Sequence, residues 1–324
     1  TPVWQAALAG AVVGTLPDLD VFIDKGDAIR NMVLHRAETH AFFWQALVSP
    51  LIAYVLAVLT RSRADFPYWW LMVIVGLFTH SLLDAITVYG TQIALPFSNH
   101  PFGLGSLFII DPSYTLPLVL GVLMTLLWRS RNRLRWNTAG LVISTLYAGW
   151  AIGAQAYVTD KVMASPAAVG LEPDQVLVTP TPFNTLLWRI VLVDEDSYQE
   201  GFYAIADGWT APDRPIRFER FDRGSTIDAA TADFEDANRI RAFSKGFYAL
   251  QDDGRRIWIT DLRMGQHPFY AFSFAFAQHQ SEPLTPIAPI RRTRRMPMDE
   301  GLDWIGRRLR GEDLPPPRPP EAIP

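Results

Sequence analysis

Four long apolar runs crowd the first 158 residues and limit the fold more than any other feature of the chain. They are "AFFWQALVSPLIAYVLAVLT" (41–60), "FPYWWLMVIVGLFTHSLLDAI" (66–86), "PSYTLPLVLGVLMTLLW" (112–128) and "AGLVISTLYAGWAIGAQAYV" (139–158). Each approaches the roughly 20 residues that an α-helix needs to cross a hydrocarbon core. A shorter run, "VWQAALAGAVVGTL" (3–16), reads as the end of a first spanning helix. The chain begins at Thr1 inside that run, so it is expected to be a fragment whose true N-terminus is missing. Trp69, Trp70, Trp128 and Trp136 lie near run ends, where aromatic rings favour the membrane interface. The expected fold is an α-helical multi-pass membrane domain over 1–158, with about five spanning helices, the first truncated. A small β-rich or α+β extramembrane domain follows it.

Orientation follows from the short loops. "RSRAD" carries Arg61 and Arg63, and "RSRNRLRW" carries Arg129, Arg131, Arg133 and Arg135. The connections 17–40 and 87–111 together carry only Lys25, Arg30 and Arg36. The arginine-dense loops are therefore read as cytoplasmic. Residues 17–40, 87–111 and everything after 158 are read as lying on the outer face, the periplasm of a bacterium. A net charge of −4 suggests no nucleic-acid partner, and the absence of cysteine excludes disulfides and thiolate metal sites.

Ionisable groups then gather on that one face. Asp18 and Asp20 lie in "LPDLD", His35 and His40 in "HRAETH", His80 and Asp84 at the end of the third run, and Asp111 in "IIDPSY". Ionisable groups at membrane depth are costly without partners, so they favour a site. Imidazole and carboxylate suit zinc, manganese or iron. His80 and Asp84, at i and i+4, share a helix face. Asp18 and Asp20, at i and i+2 after Pro17, are expected to reach one ion from an extended or turning segment. The set predicts a divalent metal site of one or two ions, zinc first, and the expected chemistry is two-metal activation of water by ions roughly 3.5–4 Å apart. Glu38 is a weaker candidate for a base, and His100 is not expected to be a ligand.

These residues resemble a known family, the predicted inner-membrane metal-dependent hydrolases (YdjM-like, also described as LexA-binding inner-membrane-associated hydrolases). The resemblance is carried by "GTLPDLD" (14–20), "HRAETH" (35–40), "HSLLDAITVYGTQIALPFS" (80–98) and "IIDPSYTLPL" (109–118). Two stretches of the second half also look like the family's accessory region, "PTPFNTLLWRIVLVDEDSY" (180–198) and "DLRMGQHPFYAFSFAFA" (261–277). It implies a bacterial multi-pass inner-membrane protein with metal-dependent hydrolase activity, and Asp18, Asp20, His35, His40, His80 and Asp84 as ligands. Asp111 falls in the same motifs and is carried as a catalytic candidate. The chain departs from the family at Thr39-His40-Ala41, where the family usually reads T-H-S, and lacks its opening segment. Arg36 is the candidate to stabilise an anionic substrate or a developing oxyanion. A site at headgroup level suggests a lipid or lipid-linked phosphoester as substrate. The alternative is a membrane metal-binding or transport protein that uses the same ligands without hydrolysis.

From 180 onward the periodicity changes to strands, at 186–194, 201–208, 216–221, 246–253, 256–263 and 270–278, with a helix at 231–246. The expected organisation is a linker over 159–179, a β-rich domain over 180–290 and a basic, Pro-rich tail over 291–324. The tail's basic cluster is a candidate contact for anionic lipid headgroups, a short amphipathic helix is expected over 299–310, and the last ten residues are expected to be disordered. The oligomeric state is not legible.

Overall fold

A computed structural model describes residues 2–128, 132–165, 173–279 and 284–318. Arg129 and Arg131 of the second arginine-dense loop, residues 166–172 of the expected linker, and 319–324 of the tail lie outside the described residues. The chain divides into two compact units. One holds Thr1–Gly26, Arg30–Gly105 and Ile109–Trp150; the other holds Asp27–Ile29, Ser106–Phe108 and Ala151–Pro324.

The helices of the first half are α1 (Val3–Thr15), α2 (Ala28–Val33), α3 (Phe42–Leu59), α4 (Phe66–Ile86), α5 (Pro112–Leu127) and α6 (Leu134–Met163). Helix α3, Arg63–Ile86 and α6 are long and apolar enough to cross a membrane, whereas α1 and α5 are shorter apolar helices. Three such helices and two short ones therefore stand where about five spans were expected.

The packing suits a lipid solvent. Small and medium side chains fill the inside, with Ala9 and Val13 of α1 meeting Ala53 and Ala57 of α3 and Val73 and Leu77 of α4. Large apolar side chains such as Leu47, Leu51 and Leu71 point outward. Hydrocarbon surroundings give no drive to bury leucine, so small residues that let backbones approach decide the contacts. Helices α5 and α6 carry this furthest. A Cβ on Gly140 would stand 2.3 Å from the Pro117 carbonyl oxygen, so any side chain there would force the helices apart.

The second unit is built on two antiparallel four-stranded sheets. One has the order β1 (Gln175–Pro180), β2 (Leu187–Val193), β3 (Ser197–Ala204), β4 (Phe218–Asp222). The other has the order β10 (Thr285–Arg292), β9 (Ser273–Gln278), β6 (Arg256–Asp261), β5 (Tyr248–Asp252). Strands β7 (Gly265–Gln266) and β8 (Phe269–Tyr270) form a small ribbon. Short helices α7 (Asp207–Thr210), α8 (Ser225–Ala230) and α9 (Glu235–Phe243) sit between strands, and α10 (Met298–Leu309) follows β10.

Helix α6 runs unbroken to Met163, so the expected linker begins as helix. Its Ala154, Val158 and Val162 enter the core formed by Trp188, Ile190, Leu192, Tyr203 and Ile205. The tail also departs from expectation. Helix α10 docks through Trp304 onto Leu187 and Ala204, with Leu309 and Leu314 packed alongside. Arg308 donates to the Asp207 carboxylate at 2.9 Å, and Arg318 pairs with Glu219. The amphipathic helix expected over 299–310 is thus present, and its apolar face is spent on the sheet. The described part of the last ten residues, up to Arg318, is ordered against the domain.

Candidate metal centre

The site is assembled from three short stretches of the first unit. Pro17 ends α1 and starts a 3-10 turn, Pro17–Phe22. Such a turn has three residues per turn, so side chains two apart diverge by about 120°. Asp18 and Asp20 therefore do not reach one ion together, as their i, i+2 spacing was expected to allow. Asp20 turns inward and is buried, while the Asp18 side chain stays half exposed.

The second stretch carries His35 to His40. Arg36 adopts φ 62°, a left-handed conformation that non-glycine residues avoid. It is held from both sides, because its N–H donates to Asp20 Oδ2 at 2.9 Å and its carbonyl accepts from Gln92 N at 2.9 Å. Strain fixed in this way marks a position that the surroundings over-determine. A second 3-10 turn, Glu38–His40, then presents His40, which is fully buried. The third stretch is the last part of α4, which carries His80 and Asp84 one turn apart on one face.

Four donor atoms converge. His40 Nε2 lies 3.4 Å from Asp18 Oδ1 and 3.2 Å from Asp84 Oδ2. His80 Nε2 lies 3.5 Å from each of the same two oxygens and 3.3 Å from His40 Nε2. All four atoms fall within 4.8 Å of one another. A tetrahedral ion with bonds of about 2.0–2.1 Å separates its ligand atoms by roughly 3.3–3.4 Å, close to the five spacings that involve an imidazole nitrogen. Asp84 Oδ2 is buried and faces Arg36 Nε at 3.2 Å, yet it has no hydrogen-bond partner among the described residues, which leaves a lone pair free for a metal ion. These four residues can hold a metal ion.

Asp20 and His35 lie beside this group rather than in it. Asp20 Oδ1 meets His35 Nδ1 at 2.7 Å, and Asp20 Oδ2 also accepts from Thr39 Oγ1 at 3.0 Å. Thr39 Oγ1 in turn lies 2.9 Å from His40 Nδ1. A hydroxyl has one proton, which the carboxylate takes, so Thr39 accepts from His40 Nδ1–H. That assigns the tautomer that leaves His40 Nε2 bare toward the four-atom group, the arrangement by which outer residues orient metal-binding imidazoles. Thr39 was overlooked as a contributor in the sequence. Its only signal is a hydroxyl residue directly before a ligand histidine in "HRAETH".

Charge reinforces the arrangement. Interaction with His40 and then His80 holds Asp18 well below the usual carboxylate range. Burial pushes Asp20 up, but His35 and the Arg36 N–H outweigh it and hold the group down. Burial likewise opposes charge on His40, yet Asp18 and Asp84 overcome it and raise its pKa.

Arg36 is buried, with Nε 3.2 Å from Asp84 Oδ2 and its guanidinium carbon 5.1 Å from the Tyr89 ring centroid. Tyr89 is fixed by donating to the Met32 carbonyl at 2.6 Å. This places Arg36 behind Asp84 rather than at an open anion site. Asp111 lies outside the four-residue group. It caps α5, accepting from Ser113 N at 2.9 Å, and its other oxygen accepts from Tyr147 Oη at 2.8 Å. Lys25 lies 3.5 Å from Glu38, and the His100 ring packs on Phe102, its centroid 4.8 Å away.

Residues 1–158, which contain every one of these groups, match the family model for the YdjM inner membrane protein. Over residues 1–158 this chain is similar to the YdjM inner membrane protein family. Two curated relatives are similar to it. The uncharacterized protein YfhP of Bacillus subtilis is 35% identical over 114 residues, which is 33% of this chain and 32% of that protein. The inner membrane protein YbcI of Escherichia coli is 37% identical over 97 residues, 29% of this chain and 55% of that protein. The chain thus spans about a third to a half of the curated relatives that it matches. No solved structure matches it. The match to an inner membrane protein family over 1–158 and the long apolar helices place the protein in a membrane.

Proposed function

We propose that this protein is a membrane-bound metal-dependent hydrolase whose centre holds one divalent ion, zinc first, between Asp18, His40, His80 and Asp84. The observation that carries the reading is the set of five donor spacings from 3.2 to 3.5 Å, close to the edges of a tetrahedron sized for such an ion, with the two carboxylate oxygens within 4.8 Å of each other. A bound divalent ion would supply Lewis acidity and acidify water toward neutral pH. The protein's own groups do the rest. His40 is aimed by Thr39 and Asp20, and Asp84 is held in register by Arg36, which acts as a positioning residue. Asp18 stands on an exposed turn, so it is the ligand able to move aside and open a position to water and substrate. The arginine distribution supports a site and C-terminal domain on the outer side of a bacterial inner membrane. Position at the end of a membrane helix supports a lipid or lipid-linked phosphoester as substrate class.

One feature favours a second reading, a metal-binding or transport role without hydrolysis. Four protein donors already complete a tetrahedron, the closed pattern of non-catalytic sites. Metal analysis of the purified protein, followed by assay of the zinc-loaded form in vesicles against phospholipids and lipid phosphates, separates the two. Bound metal with ester cleavage that His80→Ala abolishes supports the hydrolase. Bound metal with no cleavage of any ester points to the second reading, and absence of stoichiometric metal defeats both.

A further inference from the structure

The C-terminal unit contains four tryptophans, and three of them, Trp188, Trp258 and Trp304, are buried. The fourth, Trp209, is 78% exposed at the end of α7. An indole left in water on a domain that otherwise buries its indoles is an anomaly with a local explanation. Gly208, its neighbour, is pressed against α6, since a Cβ there would stand 2.7 Å from the Tyr157 hydroxyl. Tyr157 is where the apolar stretch of α6 ends, followed within four residues by Asp160 and Lys161. Lys161 Nζ lies 5.6 Å from the Tyr157 ring centroid. An aromatic ring and a lysine at the end of a spanning helix are the usual anchors at headgroup level. A 30-residue helix extends about 45 Å, longer than the hydrocarbon core, so its last turns emerge there.

The surface beside Trp209 has the same character. Leu186, 46% exposed, is tied to this place because its carbonyl accepts from Ile205 N at 2.8 Å. Phe183, in the same loop, adopts φ 68°, which is costly for an aromatic residue. Its ring packs on Phe108, centroids 5.6 Å apart, and Phe108 precedes the apolar helix α5 by only four residues. Aromatic and aliphatic side chains thus cluster where both chain connections to apolar helices meet this unit.

We propose that Trp209, Leu186 and Phe183 form a membrane-contact surface, by which the C-terminal domain rests in the headgroup and upper acyl region of the bilayer that α6 crosses. The occupant is lipid because the patch continues the level already marked by Tyr157 and Lys161 on a spanning helix. This placement is independent of metal binding and of hydrolysis.

The chain has no cysteine, so single-cysteine labelling tests it directly. Trp209→Cys, Leu186→Cys and, as a control in the exposed β5–β6 turn, Asp253→Cys would each carry an environment-sensitive fluorophore on the full chain in phosphatidylethanolamine–phosphatidylglycerol vesicles. Circular dichroism verifies that each variant is folded. Labels at 209 and 186 are expected to shift to the blue and lose most of their emission to shallow spin-labelled lipid, while the label at 253 responds only to aqueous iodide. Iodide quenching at 209 and 186 equal to that at 253 would overturn the proposal. So would protection of both from lipid and iodide alike, which would mean that protein, a second copy included, covers the patch.

Discussion

Two buried carboxylates, each beside an arginine, have opposite surroundings in the two halves of this chain. Glu200, in the β-rich half, is saturated. Its Oε1 accepts from Arg189 and from Tyr270 Oη at 2.6 Å, and its Oε2 accepts from His267 N at 3.0 Å. Burial opposes its charge, but Arg189 beside it holds the carboxyl below its ordinary value. Asp84, in the membrane half, leaves Oδ2 without a hydrogen bond and aimed at two imidazole nitrogens. A saturated buried ion pair is a structural element, whereas one whose carboxylate oxygen also faces two imidazole nitrogens without a hydrogen bond is a place for something else. The difference lies in completeness, since burial and charge are alike in both.

The strongest way to break this comparison is to empty the proposed site. His80→Ala or Asp84→Ala should eliminate stoichiometric metal, measured by plasma mass spectrometry on protein purified in detergent, with the helical circular dichroism retained. Retained metal would mean that the four-atom group is not the site. At Glu200 the expected effect is on folding instead. Glu200→Gln leaves Arg189 buried and unpaired, so it should cost about 3–5 kcal/mol, read by denaturant unfolding of the β-rich half, with metal content unchanged.

A smaller effect tests orientation. Thr39→Val removes the hydroxyl that sets the His40 tautomer and should weaken metal affinity by roughly 10–100-fold in competition with a chelator. An unchanged affinity would leave Thr39 without a role in the centre. The pH dependence sharpens the same point. Asp18 and Asp84 outweigh burial to raise His40, so protons compete for Nε2 from a higher pH than the ordinary imidazole value of about 6.5. Metal uptake should therefore fall as pH drops through that raised value. Metal-free protein should show the reverse sign. The stability contributed by protonated His40 is fully present below the ordinary value and is lost as pH rises through the raised one. Smallest of all, Asp111→Ala removes a helix cap and should cost about 0.5–2 kcal/mol without altering metal content. A loss of hydrolysis at full stability would instead favour the catalytic assignment.

Much of this arrangement was readable in the residues. The i, i+4 spacing of His80 and Asp84 survives because an α-helix enforces it, and β2, β4, β5, β6 and β9 form over the runs that marked them, whereas β3 covers Ser197–Ala204 in place of the expected 201–208. What stayed hidden depends on backbone choices that residue types do not dictate. A 3-10 turn separated Asp18 from Asp20, and the left-handed Arg36 turned its own side chain inward. Strand β10 was missed because "TPIAPIRR" carries two prolines, which a strand tolerates at a sheet edge, where β10 lies. The docking of α10 depends on Trp304 finding Leu187 more than a hundred residues away, and no local pattern encodes that.

The donor set has a consequence for durability. Every proposed ligand atom is a nitrogen or a carboxylate oxygen, and the chain has no thiol. Oxidants that convert thiolates irreversibly to higher sulfur acids have no such target at this centre. Its ion would leave by exchange or chelation, a loss that resupply reverses, so metal availability rather than redox history would govern how much of the protein is loaded.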